Sequence, residues 1–263
     1  MPQVAEVWTE SVPIRSYQVT PHGTASVLAL CDLFQDAAGH HAAALGVSMQ
    51  DLLDDGKAWV LAHLRMRIDR LPTWEETVTI ETWPSGLERL YATREFILRT
   101  EDEDPLAYGT SAWLVIDTER RRPLRPPRAL FSLETPNRPS PLPHDVSDVP
   151  APERADHERT FGVRYHDLDL NRHVNNVRYA EWALETLPPA WHDAHRCTDL
   201  ALQFRAETTL GDTVYATAQV DDPASDVRRV RHALRTDDRT VAHAVTRWTQ
   251  RETAERDESA RTR

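Results

Sequence analysis

Residues 167–182, DLDLNRHVNNVRYAEW, place two carboxylates, a histidine and three asparagines directly before a segment whose apolar residues have helical spacing. These apolar residues are Val177, Tyr179, Ala180 and Trp182. The spacing predicts an amphipathic helix that faces a core. Either Asn175 or Asn176 can cap this helix, because an asparagine oxygen accepts hydrogen bonds from the free amides of the first turn. One cap accounts for one of the six polar residues, so the others indicate a functional site.

The two halves of the chain follow the same plan. In the first half, the apolar spacing predicts a long helix over residues 25–46, followed by four strand-like runs that end near residue 117. In the second half, a helix near residues 177–187 is again followed by four such runs. The two series superimpose in the register that sets Thr77 on Thr213. The order of elements therefore indicates an internal duplication.

One long helix followed by strands with short connections predicts an α+β fold in which an antiparallel sheet curls around its helix. This is the hotdog plan, here in a tandem (double) form in which the second copy covers the sheet edge of the first. Nine of the eighteen prolines lie between Pro123 and Pro152 and exclude a helix or a central strand there. The predicted boundaries are an N-terminal hotdog at 1–122, a proline-rich linker at 123–158, a C-terminal hotdog at 159–250 and a disordered charged tail at 251–263.

Composition and charge restrict the possible partners and the compartment. The formal net charge of -11 disfavours nucleic acid and anionic membranes as partners, since both require a basic surface. The sequence has no apolar run long enough to span a bilayer, and its first residues do not resemble a secretion leader. Cys31 and Cys197 match neither a disulfide framework nor a metal-binding spacing. We therefore expect a cytoplasmic protein without a metal.

The polar residues that precede the second helix are spaced for one site. Asp169, Asn171 and His173 alternate, so an extended segment would point all three side chains to the same side. They would meet at the N-terminus of the helix, where free amides and the helix dipole stabilise an anion. Such an anion includes the oxyanion that forms when water attacks a thioester.

A base for this chemistry is available at Glu207, which lies at the end of a predicted strand in LQFRAE. Partial burial raises the pKa of a carboxylate towards the range that suits general-base catalysis. The first half has Leu71 at the matching position and lacks the Asp, Asn and His set. We therefore expect catalysis in the second half and accommodation of substrate in the first.

DLDLNRHVNNVRYAEW and LQFRAE, together with RSYQV and WVLAHLRMRIDRLPTWEETVTIETW in the first half, resemble the acyl-acyl-carrier-protein (acyl-ACP) thioesterases. The resemblance covers the chain except its linker and tail. It implies a tandem hotdog that hydrolyses the thioester of acyl-ACP to a free fatty acid without a cofactor. The catalytic residues of the family fall on Asp169, Asn171, His173 and Glu207. Many plant members have a cysteine after the acid, whereas Thr208 here disfavours a cysteine nucleophile, and the absence of a plastid leader is typical of a bacterial relative.

The resemblance also suggests where the substrate binds. Residues expected to contact it are Leu30, Phe34, Ala38, Asn175, Asn176 and Tyr179. An acidic carrier protein, which presents the fatty acyl chain on a phosphopantetheine arm, requires a local basic patch. The candidate docking residues are Arg120, Arg121, Arg122, Arg125, Arg228 and Arg229. The pair His40 and His41 could suggest a metal site, but adjacent helical residues point about 100° apart and no nearby acid completes a site, so we expect these histidines at the surface or at a pocket rim.

Three alternatives remain open at this stage. The chain could hydrolyse acyl-CoA with Asp169 as the essential carboxylate, since single-hotdog thioesterases resemble the same motif. It could bind an acyl chain as a regulator without hydrolysing it, although Glu207 argues against pure binding. A hotdog dehydratase is less favoured, because its carboxylate lies on the central helix. A homodimer is also left open, and the preferred acyl length is not predicted.

Overall fold

Eleven strands in the described residues form one antiparallel sheet that runs through both halves of the chain. The computed structural model describes residues 7–126, 136–143, 145–170 and 172–251. The strands are β1 (Trp8–Pro13), β2 (Lys57–Ile68), β3 (Thr77–Glu88), β4 (Tyr91–Thr100), β5 (Pro105–Asp117), β6 (Pro123–Leu124), β7 (His157–Gly162), β8 (His195–Phe204), β9 (Thr213–Asp221), β10 (Val227–Arg235) and β11 (Thr240–Gln250). The predicted tandem hotdog is confirmed.

The strand order shows the duplication directly. It runs β1-β3-β4-β5-β2 in the first half and continues β8-β11-β10-β9-β7 in the second, which is the same order reversed. The halves join where β2 pairs antiparallel with β8, with Met66 opposite Leu200 and Leu64 opposite Leu202. Each half therefore covers the sheet edge that its partner would otherwise expose.

The predicted register of the repeat holds for three pairs of strands. Thr77 begins β3 and Thr213, its counterpart in that register, begins β9. In the same register, β2 and β8 end at matching positions, and β4 and β10 begin at matching positions. The connection from β2 to β3 is therefore as long as the connection from β8 to β9.

Four helices occur in the described residues: α1 (Val27–Ala44), α2 (Met49–Asp54), α3 (Asn176–Glu185) and α4 (Pro189–Ala194). Helices α1 and α3 contact each other and the inner face of the sheet, and their buried residues belong to one continuous core. The sequence predicted neither α2 nor α4. Between β1 and α1, a 3-10 turn forms at Ser16–Gln18. None of the helices in these residues is long and apolar enough to cross a membrane.

The described part of the proline-rich segment packs against the outer face of the sheet. Ser140 Oγ donates to Glu95 Oε2 at 2.8 Å, and the Arg138 guanidinium lies 4.4 Å from the centre of the Trp83 ring. Strand β6 lies within the predicted linker as a short partner of β5, and β7 begins at His157, just before the predicted domain start. The predicted boundaries themselves stay a prediction.

Candidate functional site

The loop before α3 is a tight reversal and not an extended segment. Leu168 and Val174 form an antiparallel bridge, and the Asp169 amide donates to the His173 carbonyl at 2.8 Å. Arg172 has a φ of 63°, which closes the turn. The expectation of an extended segment is therefore wrong, because alternating polar residues can also lie on the two arms of a short hairpin.

Asp169 and His173 are adjacent across this hairpin. Asp169 Oδ1 accepts the His173 amide at 3.1 Å, so the carboxylate holds the turn that carries the histidine. Asp169 is partly buried, and His173 is exposed. Asn171, the third member of the predicted set, lies outside the described residues. The structure thus brings Asp169 and His173 together at the N-terminal end of α3.

Asp167 is a buried structural carboxylate that the sequence did not distinguish from its neighbours. Its oxygens accept from the Arg164 amide at 2.7 Å and from Arg164 Nη2 at 2.9 Å, and Arg178 Nε lies 3.6 Å away. Burial alone would raise the pKa of this carboxyl, but the hydrogen bonds and charges of the two arginines hold it below its usual range. Asp167 therefore remains ionised and fixes the segment that precedes the site.

The first half contains the same loop with different side chains. Val19 and Ala25 form the bridge, the Thr20 amide donates to the Thr24 carbonyl at 2.8 Å, and Gly23 has a φ of 73°. Relative to the bridges, Thr20 and Thr24 stand where Asp169 and His173 stand in the second half. The backbone of the loop is therefore repeated, whereas the carboxylate and the imidazole occur in the second copy.

The start of α3 offers fewer free amides than an uncapped helix. Asn175 is the N-cap: its Oδ1 accepts the Val177 amide at 3.0 Å, and its carbonyl accepts the Arg178 amide at 2.9 Å. This confirms the predicted cap at one of the two asparagines. Asn176 instead donates through Nδ2 to Gln35 Oε1 on α1 at 3.2 Å. The main-chain N–H of Asn176 is therefore the donor of the first turn that has no hydrogen-bond partner among the described residues.

Glu207 is tied to α3 through its neighbour Thr208. The buried Thr208 amide donates to the Tyr179 hydroxyl at 3.0 Å, and the two hydroxyls share a hydrogen bond of 2.9 Å. Burial raises the pKa of Tyr179, and the nearby charges of Glu207 and Asp212 act in the same direction. Tyr179 therefore anchors the segment that carries Glu207, and the engaged Thr208 hydroxyl is not placed as a free nucleophile.

Glu207 also receives an arginine from the other half of the molecule. Arg121, in the turn between β5 and β6, donates from Nη2 to Glu207 Oε2. Arg239 Nη2 donates to the Glu207 carbonyl at 3.2 Å. The sequence predicts Arg121 only as part of a docking patch, because no local pattern links residues so far apart in the chain.

A small cavity lies between α1 and α3. Its volume is about 20 Å³, room for about one water molecule. It is lined by Cys31, Phe34, Gln35, Leu61, Leu64, Phe96, Ser111, Trp113, Asn176, Val177 and Ala180. Of the predicted substrate-contacting residues, Phe34 and Asn176 line this cavity. Leu30 and Ala38 are buried in the core on the same helix. The cavity therefore connects the N-terminal end of α3 with the interior of the first half.

The candidate docking arginines differ in their surroundings. Arg120, Arg121, Arg122 and Arg125 are exposed near the end of β5 and along β6, and Arg229 is exposed on β10. Arg228 packs over the Trp191 ring of α4 at 5.4 Å. The first cluster is therefore the one that lies next to Glu207, through Arg121.

Of the pair His40 and His41, His40 lies at the surface as expected and His41 does not. His41 is buried and hydrogen-bonded to Arg94 Nη1 at 3.0 Å, so it is not a surface residue. His40 is exposed, and its two ring nitrogens lie 3.0 Å from Glu10 and 3.9 Å from Asp36. Two acids thus accompany His40, contrary to the sequence analysis. They contact opposite nitrogens of one ring, an arrangement that suits an ion-pair bridge better than chelation of one ion.

The fold and this site define a tandem hotdog protein whose polar site lies in its second copy. Models of the acyl-ACP thioesterase N-terminal and C-terminal domains match residues 5–131 and 151–250, respectively. The chain belongs to the acyl-ACP thioesterase family, a family of thioester hydrolases.

Individual relatives agree with this assignment. The chain is 29% identical over 226 residues to an oleoyl-acyl carrier protein thioesterase of Coriandrum sativum, covering 79% of this chain and 61% of the relative. It is 25% identical over 262 residues to a dodecanoyl-[acyl-carrier-protein] hydrolase of Cinnamomum camphora, covering 92% and 67%. A crystal structure described as an oleoyl thioesterase from Lactobacillus plantarum superimposes with a TM-score of 0.84 at 27% identity, covering 94% of this chain and 97% of that one. The chain spans about two thirds or less of the length of these curated plant relatives.

Proposed function

We propose that this protein hydrolyses the thioester of fatty acyl-ACP and releases a free fatty acid, which ends chain elongation. The observation that carries the proposal is the location of Asp169, His173 and Glu207 around the N-terminal half of α3, in a chain of this family. The matching positions of the first half, Thr20 and Thr24, could not supply this chemistry, because threonine hydroxyls are poor bases.

Glu207 acts as the general base in this proposal. It takes a proton from a water molecule, whose oxygen then forms a bond to the thioester carbonyl carbon. As the tetrahedral intermediate collapses, the carbon–sulfur bond breaks and the proton passes from Glu207 to the departing thiolate of the phosphopantetheine arm. The products are a free fatty acid and the carrier protein thiol, and no cofactor takes part.

The loop residues support this step in different ways. His173 and Asn171 hold the water molecule or the base, and Asp169 fixes the His173 amide, so it acts by positioning the histidine. The oxyanion lies against the start of α3, where the Asn176 amide is the available donor. Asn175 acts as a cap and Tyr179 as an anchor for Glu207.

The acyl chain enters the first half along the cavity between α1 and α3. Phe34 and Phe96 stack with ring centres 4.7 Å apart at this cavity, so a long chain requires these rings to move. Leu30 and Ala38 lie along the same helix and would line a deeper groove. Relatives named for both dodecanoyl and oleoyl substrates match this chain, so its own acyl length is left for measurement.

The acidic carrier protein docks on the exposed arginines beside the site. Arg120, Arg122 and Arg125 are exposed and lie within four residues of Arg121, which contacts the base that the thioester must reach. Arg228 and Arg229 form the second candidate patch. We place the enzyme in the cytoplasm; the buried, free Cys31 and Cys197 agree with a reducing compartment.

The test is thiol release from a chain-length series of acyl-ACP substrates, run beside the matching acyl-CoA series. Wild type should favour the carrier-protein series, and Glu207→Gln should lose activity by about 100-fold or more. Near-full activity in Glu207→Gln with none in Asp169→Asn would move the essential carboxylate to Asp169. Preference for acyl-CoA would favour the acyl-CoA thioesterase, and binding without hydrolysis would favour an acyl-binding regulator.

A further inference from the structure

Glu207 is held from two sides by arginines of different halves. Arg121 of the first half bonds its carboxylate, and Arg239 of the second half bonds its carbonyl. Tyr179 fixes the next residue, Thr208, from α3. The main chain around Glu207 is therefore fixed within the second half, while the direction of its carboxylate depends on the first.

The turn that carries Arg121 is rigid. Asp117 Oδ1 accepts the Glu119 amide at 3.0 Å and the Arg120 amide at 2.7 Å. The Asp117 carbonyl accepts the Arg121 amide at 2.9 Å, and Arg121 has a φ of 51°. The Asp117 amide in turn donates to the Arg122 carbonyl at 3.0 Å. The turn thus presents Arg121 from a fixed backbone and not from a loose tail.

We infer that Arg121 is a positioning residue for the Glu207 carboxylate. The inference rests on the proposed function, in which Glu207 is the base. Arg121 occupies Oε2, so Oε1 is the oxygen that accepts the proton of water. A carboxylate with one oxygen tied has fewer rotamers to sample, and pre-orientation of a reacting group is a large contribution to rate.

The contact between Arg121 and Glu207 also gives the first half a role in the reaction, which the positions of the catalytic residues alone do not indicate. Because the arginine comes from the first half, the base is oriented only when the two halves are docked through β2 and β8. The first half then contributes to the reaction beyond holding the acyl chain, although it lacks the carboxylate and imidazole of the second.

The groups that face Glu207 come from three elements. They are Arg121 from the β5–β6 turn, Arg239 from the β10–β11 turn and the Tyr179 hydroxyl from α3, with Asp212 also near that hydroxyl. Arg121 bonds the carboxylate, whereas Arg239 bonds the carbonyl of the main chain. Loss of Arg121 should therefore lower kcat much more than it raises KM, a split that loss of a docking contact would not produce.

The experiment compares Arg121→Gln and Arg121→Lys with Arg89→Gln in acyl-ACP hydrolysis. Arg89 is the matched control, because it is also an exposed arginine in a hairpin turn of the first half with a positive φ of 59°. We expect Arg121→Gln to lower kcat by about 10- to 100-fold, with KM changed less than about threefold. Arg121→Lys should restore part of this kcat, since an ammonium keeps the charge without the planar fork. Arg89→Gln should match wild type.

Three results separate this inference from the proposed function. An unchanged kcat in Arg121→Gln would overturn the inference, provided that Glu207→Gln is inactive. A rise of KM alone would also overturn it and would assign Arg121 to docking of the carrier protein. An active Glu207→Gln would instead show that Glu207 is not the base, and both the proposed mechanism and this inference would then be wrong. Equal thermal unfolding of the variants excludes misfolding as the cause of a low kcat.

Discussion

The loops at 19–25 and 168–174, which precede the two long helices, share a bridge, a backbone hydrogen bond and a positive φ among their described residues, but they carry different side chains. In each loop, an antiparallel bridge joins the first residue to the last, and one residue has a positive φ, Gly23 or Arg172. Each loop leads into a capped helix. Ser26 caps the first helix and Asn175 the second. The difference lies in side chains that the backbone does not require. Duplication has thus kept the loop that packs the helix, while the two copies present different polar groups.

The interiors of the two halves differ in a related way. In the first half, α1 is eighteen residues long, and the rings of Phe34 and Phe96 stack beside a cavity. In the second half, α3 has ten residues, and Trp182 and Tyr179 pack with ring centres 5.4 Å apart. The cavity therefore lies on the side of α3 that faces the first half, whereas Tyr179 and Trp182 fill the second half with aromatic side chains that support the site.

The largest effect should come from giving the second loop the side chains of the first. The double variant Asp169→Thr, His173→Thr keeps the backbone hydrogen bond between positions 169 and 173 but removes the carboxylate and the imidazole. We expect kcat for acyl-ACP to fall by about 100- to 1000-fold, because the lost groups act on the reacting atoms or on their support. The free energy of unfolding should fall by about 1 kcal/mol, since Asp169 no longer accepts the His173 amide. Steady-state kinetics and thermal unfolding measure both. A variant with more than half of the wild-type kcat would contradict the assignment of this loop.

A smaller effect is expected from Tyr179→Phe, which removes the hydroxyl that joins α3 to the Glu207 segment. The Thr208 amide and hydroxyl would both lose a buried partner, at a cost of about 1 to 3 kcal/mol in the free energy of unfolding. Because Glu207 adjoins Thr208, kcat should fall by about tenfold. Tyr165→Phe is the control, since Tyr165 is exposed. Denaturant unfolding and kinetics measure the two effects, and equal behaviour of the two variants would contradict an anchoring role for Tyr179.

The sequence was sufficient for the repeat because strands and helices are encoded by local spacing. The register that sets Thr77 on Thr213 follows from that spacing. The residue types before the second helix restricted its cap to Asn175 or Asn176, and Asn175 is the cap. The loop conformation was not predicted, because residues two apart fit a strand and a hairpin equally well. The contact of Arg121 with Glu207 depends on how the two halves dock, and nothing in either local sequence indicates it.

The contrast between the interiors also predicts that one glycine of the first half does not tolerate a larger side chain. Gly109 on β5 faces Phe34, and a Cβ added there would lie 2.5 Å from Cε2 of that ring. We expect Gly109→Ala to lower the free energy of unfolding by about 1 to 3 kcal/mol, since the ring must move in a packed core. The matching position in the second half already holds an alanine, Ala244, opposite Leu202 as Gly109 is opposite Met66.

Gly162 provides the control for this substitution. It ends β7, and a Cβ built there would meet no heavy atom within 4 Å. Gly162→Ala should therefore leave stability unchanged or raise it slightly. Urea unfolding of the two variants measures the difference. Equal stability of Gly109→Ala and Gly162→Ala would show that Phe34 moves freely, and the acyl-length profile of Gly109→Ala would then report how far the cavity opens.

The smallest expected effect concerns Phe96 and His232, which occupy matching strand positions in the two halves. Phe96 is opposite Gly109, and His232 is opposite Ala244. Burial lowers the pKa of His232 to about 3, so the folded protein keeps this imidazole neutral while the unfolded chain protonates it near pH 6.5. Stability attributable to this residue is therefore complete above pH 6.5 and falls as the pH drops towards 3.

His232→Phe, which installs the residue of the first half, should remove this loss. Between pH 7 and pH 5, the free energy of unfolding of wild type should fall by about 1 to 2 kcal/mol more than that of the variant. This difference does not depend on the stabilities of the two proteins at pH 7. His41, whose pKa burial and Arg94 lower to about 4, remains in both proteins and cancels in the comparison. Urea unfolding at several pH values measures the difference. Parallel pH profiles would mean that His232 is also protonated in the folded protein between pH 7 and pH 5. The second half would then admit water or charge at the position that Phe96 occupies in the first half.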